Sequence, residues 1–147
     1  SIRKIMLIGP PVLVKRVQAY FPEADLFQAC GMTETAGIFA LTSADENAEQ
    51  RTITQGRPAV GIEVRIASIE AKGDAKVGEV GEILVRGYCV MDGYYRDPEK
   101  TAATLDQDGW LHTGDLYLRN CVQWTLKRHA QGRWRKCRSY RDRVLFV

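Results

Sequence analysis

No stretch of this 147-residue chain approaches the ~18 consecutive apolar residues that a membrane-spanning helix requires, so no span of that kind is expected. Cysteine is sparse and scattered. Cys30, Cys89, Cys121 and Cys137 form no C-x-x-C pair, and their spacings of 59, 32 and 16 residues fit no zinc module. Scattered thiols of an intracellular, cytoplasmic protein are the expectation. Internal repeats are absent. The chain does not open on Met, and its first segment, SIRKIMLIGPPVLVKR, has a short apolar run without a small-residue cleavage pattern. That segment is expected to be the cut edge of a strand rather than a signal peptide.

What is present can bury a core: 45% of residues are hydrophobic and 27% charged, which excludes a wholly disordered chain. The net charge of +3 is an average over two unlike segments. Residues 1–119 hold 13 Lys/Arg against 17 Asp/Glu, net −4, whereas residues 120–147 hold 8 against one, Asp142, net +7. The basic character therefore belongs to the last 28 residues, and it does not mark the whole chain as a nucleic-acid-binding domain.

Along the chain, residues 2–8 (IRKIMLI) predict a buried strand that ends at the turn Gly9-Pro10-Pro11. Val12, Leu13, Val17, Tyr20 and Phe21 recur at helical spacing over 12–21, and Pro22 ends that helix. LFQAC (26–30) predicts a second strand, running into Gly31-Met32-Thr33-Glu34. This β-α-β order predicts an α/β layer over 1–54. From residue 55 to 119 the pattern changes. Ile62, Val64 and Ile66 alternate with Glu63 and Arg65, EILVRG (82–87) predicts another strand, and DPEKTAATL (97–105) a short helix before the turn DQDG (106–109). Short strands joined by turns indicate a small β-rich, barrel-like subdomain. Residues 120–147 keep no sustained period, and only RVLFV is strand-like.

Two short motifs carry chemistry-bearing residues. GMTET (31–35) sets a hydroxyl beside a carboxylate after a strand and a glycine, where open α/β sheets bind ligands. Thr33 can hydrogen-bond a phosphate oxygen, and Glu34 can hold a divalent cation that bridges phosphates. A helix cap explains the same residues without any ligand. GWLHTGD (109–115) places Asp115 beside a glycine at a strand end, where a carboxylate can accept two hydrogen bonds from a ribose diol; a plain Asx turn is the alternative. His112 alone reads as a surface or core histidine rather than a general base.

Taken together, GMTET, TQGRPAVGIEVRI and VGEVGEILVRGYCVMDGYYRDPEKTAATLDQDGWLHTGDL occur in an order and spacing that resembles the adenylate-forming superfamily of acyl-CoA synthetases, peptide-synthetase adenylation domains and luciferases. The resemblance covers residues 1–119 and is closest in style to fatty-acyl or aryl-CoA ligases. It implies a fragment of a large N-terminal α/β domain that activates a carboxylate with ATP and Mg²⁺ to an acyl-AMP, then transfers the acyl group to coenzyme A. Within it, Thr33 would contact phosphate and Glu34 would bind magnesium, the two residues closest to catalysis. Gly9, Pro10, Pro11, Gln28, Ala29, Cys30, Gly31, Met32, Thr33 and Asp115 would line the nucleotide, with Asp115 on both ribose hydroxyls. Cys30 stands where the family usually has an aromatic ring on adenine, and Leu7 and Ile8 replace small residues in the first segment. Arg86 is expected to tie strands together.

Three parts of the family's machinery are not found in this sequence: the Ser/Thr/Gly-rich phosphate loop ending in Pro-Lys-Gly, the lid domain with its lysine, and an Arg about fifteen residues after the T-G-D aspartate, where Ala130 stands. The isolated chain is therefore expected to be inactive, with carboxylate, ATP and CoA as partners of the longer enzyme. The competing reading is a non-catalytic nucleotide-binding or regulatory module. Residues 120–147 read either as a shifted frame or mispredicted exon, or as a genuine basic extension for RNA or an acidic surface, with Trp124, Trp134 and Tyr140 placed for stacking.

Overall fold

A computed structural model describes residues 1–119 and divides the chain after Val60 into two compact units. The expectations for Trp124, Ala130, Trp134, Tyr140 and the RVLFV segment lie outside the described residues.

In the first unit, β1 (Lys4–Leu7) is followed by α1 (Pro11–Tyr20) and β2 (Asp25–Met32), and β1 and β2 pair in parallel with Leu7 opposite Gln28. A helical crossover between parallel strands is what the β-α-β reading requires. Pro11 occupies the first turn of α1, where its missing N–H costs nothing, and the Pro10 carbonyl receives Leu13 N at 2.9 Å. Val14 of α1 packs with Ala24 and Leu26, and Ile5, Leu7 and Val17 close this small core. The buried strand expected over 2–8 is corrected: β1 covers residues 4–7 only, and Met6 within it and Ile8 just past it are more than half exposed.

Beyond β2 the structure adds elements that the spacing did not announce. A single 3₁₀ turn at Thr33–Thr35 reverses the chain into β3 (Gly37–Leu41), antiparallel to β2. The chain then forms α2 (Ala48–Ile53) and the two-residue β4 (Arg57–Pro58), completing a four-stranded sheet in the order β1-β2-β3-β4. Asn47 caps α2 by accepting Gln50 N at 2.8 Å, while the Gln50 side chain returns to Asn47 N at 3.1 Å. β2 also runs two residues past Cys30, so Gly31 and Met32 of the motif are strand residues rather than loop residues.

The second unit holds β5 (Ile62–Ser68), β6 (Val80–Gly87), α3 (Pro98–Thr104) and β7 (Leu111–Leu118). Its strands form a three-stranded antiparallel sheet with β6 in the middle, open among the described residues. The alternation read from β5 holds: Ile62 and Ile66 are buried, and with Ile83, Val85 and Leu111 they line the apolar side. Leu84 is buried from the other side, as befits a central strand. α3 starts at Pro98 with Asp97 accepting Lys100 N at 2.9 Å, and the predicted turn closes with Gly109 N to Asp106 O at 3.1 Å.

Candidate functional site

The predicted residues of the first unit gather at one end of its sheet. Gly9, Pro10 and Pro11 follow β1, whose last paired residue, Leu7, is opposite Gln28, the residue before the Ala29–Gly31 stretch of β2. Gln28, Ala29 and Cys30 are buried, Gly31, Met32 and Glu34 half-buried, and Thr33 exposed. Gln28 serves the framework here: its Nε2 donates to Thr52 O of α2 at 2.8 Å, and its backbone N–H donates to Thr42 Oγ1 at 2.9 Å.

The presentation of Thr33 and Glu34 depends on Thr35, which sequence reasoning assigned no role. Thr35 is 1% exposed, and its hydroxyl lies 3.0 Å from both Met32 O and Gly37 O while Met32 N reaches it at 3.2 Å. This hydroxyl supplies hydrogen bonds that the tight turn denies to the backbone. Ala36 leaves the turn with φ +52°, a left-handed conformation that costs a non-glycine residue about 1 kcal/mol. Gly31 is required for a different reason. A Cβ built there would lie 2.0 Å from Gly37 O, so only glycine lets the two strands close beside the turn. The signal for Thr35 was a third polar residue before Ala-Gly, legible only once the hairpin is known.

In the second unit, the expectation that Asp115 ends a strand is corrected: Thr113, Gly114 and Asp115 lie inside β7. Glu82 of β6 is opposite Leu116 and Leu84 is opposite His112, so two steps along β6 span four along β7. The T-G-D motif is that bulge. Gly114 takes φ +75°, Thr113 Oγ1 donates to Ile83 O at 2.8 Å and accepts Asp115 N–H at 3.1 Å, and Asp115 is exposed. Strand bulges re-aim side chains, which is what lifts this carboxylate from the regular alternation.

His112 is a paired surface histidine, as expected: Nδ1 lies 2.9 Å from Glu82 Oε2 and Nε2 3.8 Å from Asp106 Oδ2. Arg86 ties strands together. Its guanidinium meets both Glu63 carboxylate oxygens, at 2.8 and 2.9 Å, and lies 4.4 Å from the Trp110 ring centre, with Arg65 4.9 Å from the same ring. The Arg86 hydrogen bonds hold the Glu63 carboxyl below its ordinary 4.5 and push the Arg86 guanidinium up.

A metal would find one carboxylate, Glu34, at the first unit's turn; no cluster of three metal-ligating side chains exists among the described residues. An open groove of about 450 Å³ between α1 and α2, lined by Lys15, Gln18, Asp25, Arg51 and Thr52 among others, collects none of the predicted residues. No described helix is long and apolar enough to cross a membrane.

The first unit thus presents Thr33 and Glu34 on a strand–turn–strand, and the second presents Asp115 on a glycine bulge of an antiparallel sheet. The chain belongs to the AMP-binding enzymes, whose pattern matches residues 3–95. It is 37% identical over 112 residues to a mitochondrial medium-chain acyl-CoA ligase of Homo sapiens, covering 76% of this chain and 18% of that protein. It is 38% identical over 121 residues to 4-coumarate–CoA ligase 1 of Petroselinum crispum, covering 79% and 22%. The fold superposes on an anthranilate CoA ligase in complex with anthranoyl-AMP with a TM-score of 0.67 and 26% identity, over 79% of this chain and 22% of that one. The chain thus spans about a fifth of the length of the curated relatives it matches.

Proposed function

We propose that this chain carries part of the nucleotide site of an ATP-dependent carboxylate–CoA ligase acting on a fatty or aryl acid. In that reaction the substrate carboxylate attacks the α-phosphorus of ATP and expels pyrophosphate. The CoA thiol then attacks the acyl carbon of the acyl-AMP and expels AMP. Thr33 hydrogen-bonds a phosphate oxygen, and Gly9, Pro10, Pro11 and the Cys30–Met32 stretch flank the base, while the fully buried Gln28 and Ala29 serve as framework. Asp115 accepts hydrogen bonds from the ribose 2′- and 3′-hydroxyls. Glu34 would hold Mg²⁺, which when bound offsets phosphate charge. The parent enzyme's partners are the carboxylate, ATP and CoA rather than nucleic acid. A cytoplasmic location agrees with the scattered thiols, although the human relative is named as mitochondrial.

The observation that carries this reading is the T-G-D bulge, which turns an exposed carboxylate outward on a rigid three-stranded sheet. An Asx turn closing a hairpin has no need of two extra residues in mid-strand. Calorimetry with AMP and Mg²⁺ tests it on the full chain: binding is expected, and Asp115→Ala is expected to weaken it at least about tenfold, the scale of one lost charge-assisted hydrogen bond. Equal affinity in wild type and variant would remove the ribose role.

A further inference from the structure

We propose that Glu82 is the positioning residue that holds Asp115 where it can take the ribose diol, an inference that rests on the ribose reading above. Four residues of β7 span two of β6, so the bulge residues cannot all find carbonyl partners across the ladder. Glu82 replaces a missing one: its Oε1 accepts Gly114 N–H at 3.0 Å. Its other oxygen sits 2.9 Å from His112 Nδ1, so the carboxylate is gripped at both ends and bridges the residues on either side of Thr113.

That grip falls on the most demanding point of the bulge. Gly114 has φ +75°, and the residue that follows it is Asp115. Without an acceptor for its N–H, Gly114 has little to hold it in this conformation, since glycine populates positive and negative φ with similar ease. The other tie at this point runs through Thr113, whose Oγ1 accepts Asp115 N–H at 3.1 Å and donates to Ile83 O of β6 at 2.8 Å; it leaves the Gly114 N–H, and with it the Gly114 φ, to Glu82. Glu82 is on the central strand, its side chain only 23% exposed, and it is anchored by regular pairing to β5, where it is opposite Ala67. It therefore references Asp115 to the rigid part of the unit. A role limited to pairing with His112 would leave Oε1 directed elsewhere, whereas here each oxygen has its own partner.

The test uses the 147-residue chain with Glu82→Met, similar in length but without an acceptor, Glu82→Gln, whose side-chain carbonyl can still accept Gly114 N–H, and Asp115→Ala. Two quantities are read: exchange protection of the Gly114 amide by NMR, and the ratio of affinities for AMP over 2′,3′-dideoxy-AMP. A general loss of structure lowers both affinities together and leaves their ratio unchanged. Glu82→Met is expected to cut Gly114 protection about tenfold, the equilibrium worth of one hydrogen bond to a charged group. Its affinity ratio should fall to that of Asp115→Ala, and Glu82→Gln should recover most of both. Retained protection, or a wild-type ratio that persists in Glu82→Met while Asp115→Ala loses it, overturns the role of Glu82 alone. A wild-type ratio of one overturns the ribose reading itself. Should Glu82→Met unfold the chain, Glu82→Ala is read by the same measures.

Discussion

At the scale of single residues, two hydroxyls, two glycines and the Glu82 carboxylate do the positioning, and the presented groups are their neighbours. Thr35 is buried beneath the turn that carries Thr33 and Glu34, and Thr113 braces the bulge that carries Asp115. Replacing Thr35 by Val keeps the shape and removes the hydroxyl, so the Met32 N–H loses its acceptor and the Met32 and Gly37 carbonyls lose the one hydrogen they share. The expected cost is about 1–3 kcal/mol in urea unfolding, the usual penalty for stranding a buried polar group, and Thr35→Ser should return most of it. Identical midpoints for Thr35→Val and wild type would show that the turn holds without this hydroxyl. Thr33, Glu34 and Asp115 were legible from residue type and neighbours. Thr35 and Glu82 were not, because their roles consist of hydrogen bonds to backbone that is close only after folding.

At the scale of elements, β5, β6 and β7 form the platform of the T-G-D motif. The Glu63–Arg86 pair lies across β5 and β6 with Trp110 stacked on the guanidinium. Because the folded state holds the Glu63 carboxyl below its ordinary 4.5, the pair contributes stability above that value and loses it as pH falls through the lower folded one. Glu63 is largely exposed, so the effect is modest and screened by salt. In melting curves across pH, Glu63→Gln should be less stable than wild type near neutrality and converge with it below pH 4.5. A gap that persists in acid would mean that the pair acts through packing. Burial pushes the Glu46 carboxyl the opposite way, so its ionisation works against folding as pH rises, and comparing the variant with wild type cancels that contribution. Elements were read well where a sustained period, a short apolar run or a proline marked them, as in α1, β5, β6 and α3; β1 was located but is shorter and more exposed than the buried strand expected. The hairpin of β2 and β3, the capped α2 and the bulge in β7 escaped it, because one turn of 3₁₀ helix or two extra residues leave no period to count.

At the scale of the whole molecule, the decisive fact is coverage. The chain spans about a fifth of the length of the curated relatives it matches, and the Pro-Lys-Gly phosphate loop that the resemblance calls for is not found in its sequence. Purified chain is expected to show no ATP–pyrophosphate exchange with a panel of fatty and aryl carboxylates, even where AMP binds. Measurable exchange would mean that these residues suffice for adenylation. The sequence alone determined the family, the order of the motifs, the chemical type of each presented group and the charge division at residue 120, since these depend on residue identity and local spacing. Only the tertiary structure decided that Gly31 must lack a side chain, that T-G-D is a mid-strand bulge and that Glu82 holds it. Each of those follows from where one strand's backbone meets another's, and pairing between segments far apart in sequence sets that meeting point.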